Sequence, residues 1–325
     1  MNIDVNHHSF NSVRDKWNSI LPYCSINTLF ITPIWHELWW DSSIHQEDPL
    51  ILEFHQNEQT LGIAPLMRKQ DSITLMGDPD LFDYQDFIVL KGAEENFFTS
   101  LLNLLDDEPW SQLTLPSLRE DSKTLNFIPE LATSKGWNCM VEVQDVAPVV
   151  TLPANWDSYL ANLDKKNRHE LRRKFRRLTT TVTTNTTICS APDEIQTCME
   201  DLFTLMRKGR EGKRQFLTED HKAFFRALAT GLSELGILTL HFLEIEKERV
   251  AGCLCFDYNG QRLLYNSGFD PTYSHLSVGL MLKALCLDNS ISNGLEYFDF
   301  LKGDEHYKYH LGGVNRFVYK ISISR

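Results

Sequence analysis

With 325 residues, 42% of them apolar and 23% charged, the chain is long enough for two ordinary domains and too apolar to be disordered. Its net charge of −12 is uneven: residues 1–150 carry 8 Lys and Arg against 23 Asp and Glu, or −15, whereas residues 151–325 carry 24 against 21, or +3. So small a basic excess argues against a surface devoted to RNA, and the asymmetry indicates two units with different tasks.

The seven cysteines, Cys24, Cys139, Cys189, Cys198, Cys253, Cys255 and Cys286, are odd in number and form no CxxC pair. That usage fits a reduced, cytoplasmic protein without a cysteine metal centre. The start, MNIDVNHHSF, lacks the basic and apolar segments of a signal peptide. No apolar run approaches the ~20 residues of a membrane span.

In the first half, residues 9–21 read as a helix and 32–40 as a second, with Pro33 in its first turn. Trp35, Trp39 and Trp40 recur at helical spacing, which suits either core packing or an aromatic wall beside an acceptor. Residues 50–55 and 60–66 form a hairpin and 72–76 a short strand. The run from Gly77 to Asp86 holds four aspartates and leads into the apolar strand 87–90. Acid runs are ordinarily solvated. This one precedes a buried strand and contains Phe82 and Tyr84, so Asp83, Tyr84 and Asp86 are also candidates for holding an amine or a sugar hydroxyl. Helix 93–107, strand 111–115, helix 121–135 and strand 137–143 complete an alternating unit. Asp145 to Pro153 reads as the boundary between domains 1–150 and 151–325.

Residues 156–178 read as one long helix. Leu160, Leu163, Leu171, Phe175 and Leu178 fall on one side, and Lys165, Lys166, Arg168, Arg172, Arg173, Arg176 and Arg177 on the other. The basic stripe is either a solvated face or a seat for a polyanion. A strand at 179–189, a helix at 192–208, the basic loop Lys208 to Arg214 and a helix at 218–235 follow. Strands 237–246, 249–258 and 263–269 form a meander, the last turn being Asn259-Gly260. Cys253 and Cys255 share one strand face, as core thiols do. Asp270-Pro271 ends the meander. Ser274 to Gly279 is a short turn, 280–291 an apolar helix, 296–301 a strand and 314–324 a closing strand. A strand, turn and helix in that order leave free amides at the helix start, where an anion gains ~0.3–1 kcal/mol if exposed and up to ~2 if partly buried. Asp299, among aromatic neighbours, is either a desolvated base or a carboxylate satisfying backbone N–H groups. His306, His310 and the adjacent Glu305 lack a further ligand, so no metal is assigned. No nucleophile elbow, Walker loop or G-x-G-x-x-G is present.

The segments SGFDPTY (267–273), SVGLML (277–282) and FDFLKGDEHYK (298–308) occur in this order after FITPIWHELWW (30–40), GIAPLM (62–67), KKNRHELRRKFRRL (165–178) and FLTEDHKAFFRALA (216–229). Together they resemble the GNAT-type acyltransferase families, in the branch grouped with CelD-like cellulose-biosynthesis proteins and Fem peptidyltransferases. The resemblance implies an α/β (α+β) fold of two tandem GNAT-like domains, each a mixed, mostly antiparallel sheet flanked by helices. Residues 1–150 would be a degenerate, acceptor-side domain and 151–325 the acyltransferase domain. The implied reaction moves an acyl group from acyl-CoA, acetyl-CoA first among them, to an amine or hydroxyl of a small molecule, sugar or peptide, with no permanently bound cofactor. The family's acetyl-CoA loop is Gln/Arg-x-x-Gly-x-Gly/Ala; only Gly279 is kept here, after Ser277 and Val278. The implied donor contacts are Ser277, Val278, Gly279 and Arg210. The implied catalytic residues are Asp299 as base, Lys302 on the tetrahedral intermediate, and Glu305. The implied acceptor contacts are Trp35, Asp83, Tyr84, Asp86, Tyr265, Asp270 and Tyr307. Two other readings stay open: a Fem-type aminoacyl-tRNA peptidyltransferase with helix 165–177 on tRNA, and a non-catalytic module binding an anionic surface.

Overall fold

The computed structural model describes residues 3–42, 47–209 and 211–325. The chain divides into two compact units, Met1–Val146 with Arg316–Arg325, and Ala147–Asn315. Both are mixed α/β units with mostly antiparallel pairing. No helix among the described residues is long and apolar enough to cross a membrane.

The first unit comprises β1 (Asp4–His8), α1 (Phe10–Ile20), α2 (Pro33–Ser42), β2 (Asp48–Gln56), β3 (Gln59–Lys69), β4 (Ser72–Leu75), β5 (Ile88–Val89), α3 (Glu94–Asp106), β6 (Gln112–Arg119), α4 (Thr124–Ser134) and the start of β7 (Asn138–Thr151). Helix α1 buries Val13, Trp17 and Ile20, the spacing of one helical face. Its core joins Phe54, Phe97, Phe98 and Leu101 to Ile321 and Ile323. Those last two lie on the closing strand, which pairs with β6 as Ile321↔Leu115.

The second unit comprises the end of β7, α5 (Trp156–Asn162), α6 (Lys165–Thr181), β8 (Thr184–Cys189), α7 (Ile195–Lys208), α8 (Glu211–Phe216), α9 (Glu219–Ser233), β9 (Leu238–Ile245), β10 (Glu248–Tyr258), β11 (Gln261–Phe269), α10 (Val278–Ser292), β12 (Tyr297–Asp299) and α11 (His306–His310), ahead of β13 (Val314–Ser324). Its strand order is β7-β12-β11-β10-β9-β8, with β12 parallel to β11 after the α10 crossover. The register pair Gly252↔Gly268 faces α7. Cys253 and Cys255 face the other way, toward α10, and share a buried core with its Cys286.

Four features depart from the sequence expectations. The long helix 156–178 is two helices, because Asn155 and Asp164 each act as an N-cap: Asn155 Oδ1 accepts from Ser158 N at 2.9 Å and Asp164 Oδ1 from Asn167 N at 2.8 Å. The boundary expected over 145–153 falls inside that stretch, at Val146/Ala147, but within a strand and not a linker, since β7 runs on to Thr151. Arg316–Arg325 joins the first unit and not the C-terminal domain 151–325. Most of the basic loop 208–214 is taken up by α8.

Gly268 tests how closely α7 packs on β11. A Cβ there would lie 2.6 Å from Leu205 C and closer still to Met206 N, both backbone atoms. Gly268→Ala should cost about 1–3 kcal/mol, as overpacking does, with a fall in Tm of ~2–4 °C per kcal/mol. Gly212→Ala, where a Cβ meets nothing within 4 Å, should leave Tm unchanged or raise it. Thermal denaturation of the two variants checks the pair.

Candidate active site

Strand β11 ends at a carboxylate clip. Asp270 Oδ1 accepts from Thr272 N (3.0 Å) and Thr272 Oγ1 (2.7 Å), and Oδ2 accepts from Lys208 Nζ (2.6 Å). The Lys208 hydrogen bond holds the Asp270 carboxyl below its ordinary range. A 3-10 turn, Pro271–Leu276, then delivers Ser277 in the left-handed region at φ 58°. Ser277 is the N-cap of α10 but makes no side-chain cap. The Leu280 and Met281 amides already donate to Ser277 O, each at 3.0 Å. The Val278 and Gly279 N–H groups precede any intrahelical acceptor. Arg177 comes to this spot from α6, with Nη2 3.4 Å from Ser277 Oγ. Its Nε is buried without a hydrogen-bond partner among the described residues. Sequence reading placed Arg177 in the outer basic stripe; its alternation with Leu178 gave no sign that it turns inward.

Beyond β12 the chain winds round one ammonium. Lys308 is 1% exposed. Its Nζ donates to Leu301 O (2.9 Å), Lys302 O (2.7 Å) and Gly303 O (2.9 Å), and pairs with Glu305 Oε2 (2.9 Å). Leu301 takes φ 60° and Gly303 φ 114° to bring these carbonyls round. Asp299, 1% exposed, accepts the Leu301 N–H at 2.8 Å through Oδ1. Helix α11 closes on a Schellman turn: Gly312 N donates to Tyr309 O (3.0 Å) and Gly313 N to Lys308 O (2.9 Å). Neither α11 nor the role of Lys308 was read from the sequence, although Gly312-Gly313 behind a polar-aromatic run is a C-cap signal.

Of the expected residues, the structure brings Ser277, Val278 and Gly279 together at the head of α10. It sets Asp299, Lys302 and Glu305 in the loop beyond β12. Glu305 is the counter-ion of Lys308, and Lys302 is half-buried. Asp270 is committed to its clip. Tyr265 packs between Phe225 (5.7 Å) and Phe256 (5.3 Å). Tyr307 is stacked under Lys283 Nζ at 4.7 Å, and burial raises its hydroxyl pKa. Arg210 lies outside the described residues.

Trp35, Asp83, Tyr84 and Asp86 belong to the first unit. Trp35 is fully buried against Phe30 (4.7 Å) and Phe82 (6.2 Å), which makes it core and not a wall open to an acceptor. Tyr84 is buried under the Arg119 guanidinium at 5.6 Å, and Asp83 is half-buried. Asp86 is buried too. Its Oδ1 accepts from Thr124 Oγ1 (2.5 Å) and Phe87 N (2.9 Å), while Oδ2 has no partner among the described residues. Burial pushes this carboxyl up to about 6, against the lowering contacts of the Ser122 and Thr124 hydroxyls and the Phe87 amide.

Residues 165–309 match the family described as "Acetyltransferase (GNAT) domain". Three solved structures share the fold. FemX covers 98% of this chain and 96% of its own at 11% identity and a TM-score of 0.67. A conserved protein of unknown function from Bacteroides thetaiotaomicron VPI-5482 covers 100% of both chains at 15% identity and 0.61. A tandem GNAT protein from the clavulanic acid biosynthesis pathway covers 98% of both at 10% and 0.52. No curated protein matches the chain.

The buried Asp86 carboxyl carries a pH signature. With a folded pKa of about 6 against an ordinary 3.8, the folded state binds more protons than the unfolded between those values, so stability falls as pH rises through that window. Asp86→Asn removes the titration. The variant should therefore gain on the wild type by up to about 3 kcal/mol between pH 4 and pH 7. Chemical denaturation at both pH values measures it; a constant difference between the two proteins would rule out a raised carboxyl.

Proposed function

We propose that this chain, whose residues 165–309 are a GNAT acetyltransferase domain in a fold of the tandem-GNAT and Fem-like branch, transfers an acyl group from acyl-CoA to an amine or hydroxyl. The observation that carries the donor assignment is Arg177: a guanidinium with an orphaned, buried Nε, beside the left-handed Ser277, at the amide end of α10. Its hydrogen-bond contact among the described residues is the Ser277 hydroxyl, a neutral group. A pyrophosphate would take these donors together: the Val278 and Gly279 amides, Ser277 Oγ and the guanidinium.

Chemistry then needs no protein nucleophile. The acceptor nitrogen or oxygen attacks the thioester carbonyl, a C–N or C–O bond forms, the tetrahedral oxyanion collapses, and the C–S bond breaks to release CoA thiolate. The acceptor's proton leaves to a base or to water. Lys302, at the end of the loop held by Lys308, is assigned to the oxyanion. Asp299 fixes the Leu301 amide and so acts as a positioning residue. A second reading rests on the exposed Lys165, Lys166, Arg172, Arg173 and Arg176 of α6, which would suit an aminoacyl-tRNA donor.

Thermal shift separates the donors. CoA or acetyl-CoA at 100 times its Kd should add ~2.7 kcal/mol of stability, and Arg177→Gln should weaken that binding about 10- to 100-fold, the value of a hydrogen bond to a charged group. If instead tRNA stabilises the protein in a salt-dependent way, and charge reversal at Arg172, Arg173 and Arg176 abolishes it, the tRNA reading replaces the first. Indifference to both ends the acyltransferase proposal.

Lys302 and Lys308 should separate function from architecture. Lys302→Met should lower turnover by ~10²–10³ with donor affinity intact. Lys308→Met leaves the Leu301, Lys302 and Gly303 carbonyls without their donor and should cost at least about 1–3 kcal/mol of stability, as an unmade buried hydrogen bond does. Steady-state kinetics and denaturation of both variants make the comparison, and a fully active Lys302→Met enzyme would remove the oxyanion role.

A further inference from the structure

On the α10 side of the second unit's sheet, His241 from β9, Cys255 from β10 and Cys286 from α10 converge. One ligand atom from each lies within 4.8 Å of the other two, and all three residues are buried. We propose that these three side chains bind one thiophilic metal ion, with zinc as the expected occupant.

The first argument is distance. Zinc bonds of ~2.3 Å to sulfur and ~2.0–2.1 Å to nitrogen set tetrahedral ligand atoms about 3.5–3.8 Å apart. Small side-chain adjustments from the present spacing reach that. The second is charge. Two thiolates and a neutral imidazole make a complex with Zn²⁺ of zero formal charge, so the core holds no uncompensated ion. The neighbouring cation is already neutralised: Arg262 Nε and Nη2 donate to Asp257 Oδ1 (2.7 Å) and Oδ2 (2.6 Å), and Nη1 to Asn289 Oδ1 (2.7 Å). The third is orientation. His241 Nε2 sits 3.2 Å from Thr239 Oγ1, the kind of outer contact that fixes a ligating ring.

The proposed fourth ligand is water, and His241 borders a cavity. A cavity of about 220 Å³ is lined by His241, Leu282, Asp288 and Asn289, among others. Water entering there can complete a tetrahedron. Binding is balanced as Zn²⁺ plus two thiols and one imidazole giving the complex and two protons. The ion would tie α10 to both β9 and β10, and with α10 the amides at its head. Ligand positions 241, 255 and 286 have no motif spacing, which is why the sequence assigned core thiols and no metal.

The test uses the full chain, reduced, with any affinity tag removed because histidine tags bind the same ions. Zinc is measured in protein purified without chelator, then removed, and Co²⁺ is titrated while thiolate-to-cobalt absorption is followed. The expected result is one equivalent of cobalt, displaced by zinc, and a zinc-dependent rise in Tm. The Cys255→Ala/Cys286→Ala double variant should bind at least about 100-fold more weakly, beyond the 10–100-fold typical of outer contacts. Cys198→Ala, a buried thiol on α7, should bind as the wild type does. Absence of both the cobalt band and the zinc effect in the reduced wild type overturns the proposal without recourse to any variant. So does a band that survives in the double variant. Neither outcome bears on acyl transfer.

Discussion

The end of the second unit depends on a buried ammonium. Lys308 offers three N–H donors, yet four acceptors lie within 2.9 Å of Nζ, three carbonyls and a carboxylate. At least one hydrogen is therefore shared, and the carbonyls of Leu301, Lys302 and Gly303 must all point inward. That requirement explains two left-handed residues in three, and Gly303 in particular, where a Cβ would lie 2.5 Å from Glu305 Oε2. Asp299 restrains the same loop from the strand side through the Leu301 amide. Lys302 sits half-buried within this turn, on a backbone that Lys308 holds through the Lys302 carbonyl itself.

Helix α10 supplies the other fixed edge. It is apolar almost all round, and its buried residues include Val278, Met281, Leu282, Cys286 and Leu287. Its polar contacts are with groups that compensate each other: Arg262 reaches Cys286 O and Asn289 from beneath, already paired with Asp257, and Lys283 lies over the Tyr307 ring. A helix so held cannot easily rotate or slide. Its first-turn amides are thus presented at a constant place, which an electrostatic role requires more than it requires strength, since one helix terminus contributes at most ~2 kcal/mol.

Much of this architecture was legible from periodicity and turn chemistry. The meander β9–β11, the α10 helix and a strand after it were all visible, because alternation, Asn259-Gly260 and Asp270-Pro271 are local signals; that β12 pairs in parallel with β11 was not. What was not legible was non-local. The break between α5 and α6 depends on Asp164 capping, a short signal overridden by the leucine spacing on either side. The closing strand's return to the first unit is a pairing choice, made by Ile321 and Ile323 finding the Leu101 and Leu113 core. In the candidate site, chain order was legible and side-chain partners were not. Sequence order placed Lys302, Glu305 and Lys308 in one motif, but only coordinates show that the last two bind each other.

Ser277 brings these points together. A left-handed serine costs about 1–2 kcal/mol relative to the ordinary region, and glycine would remove that cost. Gly279 lies two residues on, where its Cβ would meet Phe269 at 3.1 Å, so the small residue is spent on packing and the strained position carries a hydroxyl. Strain of this kind is kept only where the surroundings enforce it. Here they do: the 3-10 turn before Ser277 and α10 after it leave no other path, and its hydroxyl lies 3.4 Å from Arg177 Nη2. A glycine-rich loop wraps a phosphate with backbone alone. This turn instead places one hydroxyl and one guanidinium beside two amides, a donor set with fewer backbone groups and a fixed positive charge. That substitution of side chains for backbone is the physical content of the departure from Gly-x-Gly, and on the proposed donor reading anion affinity hinges on Arg177.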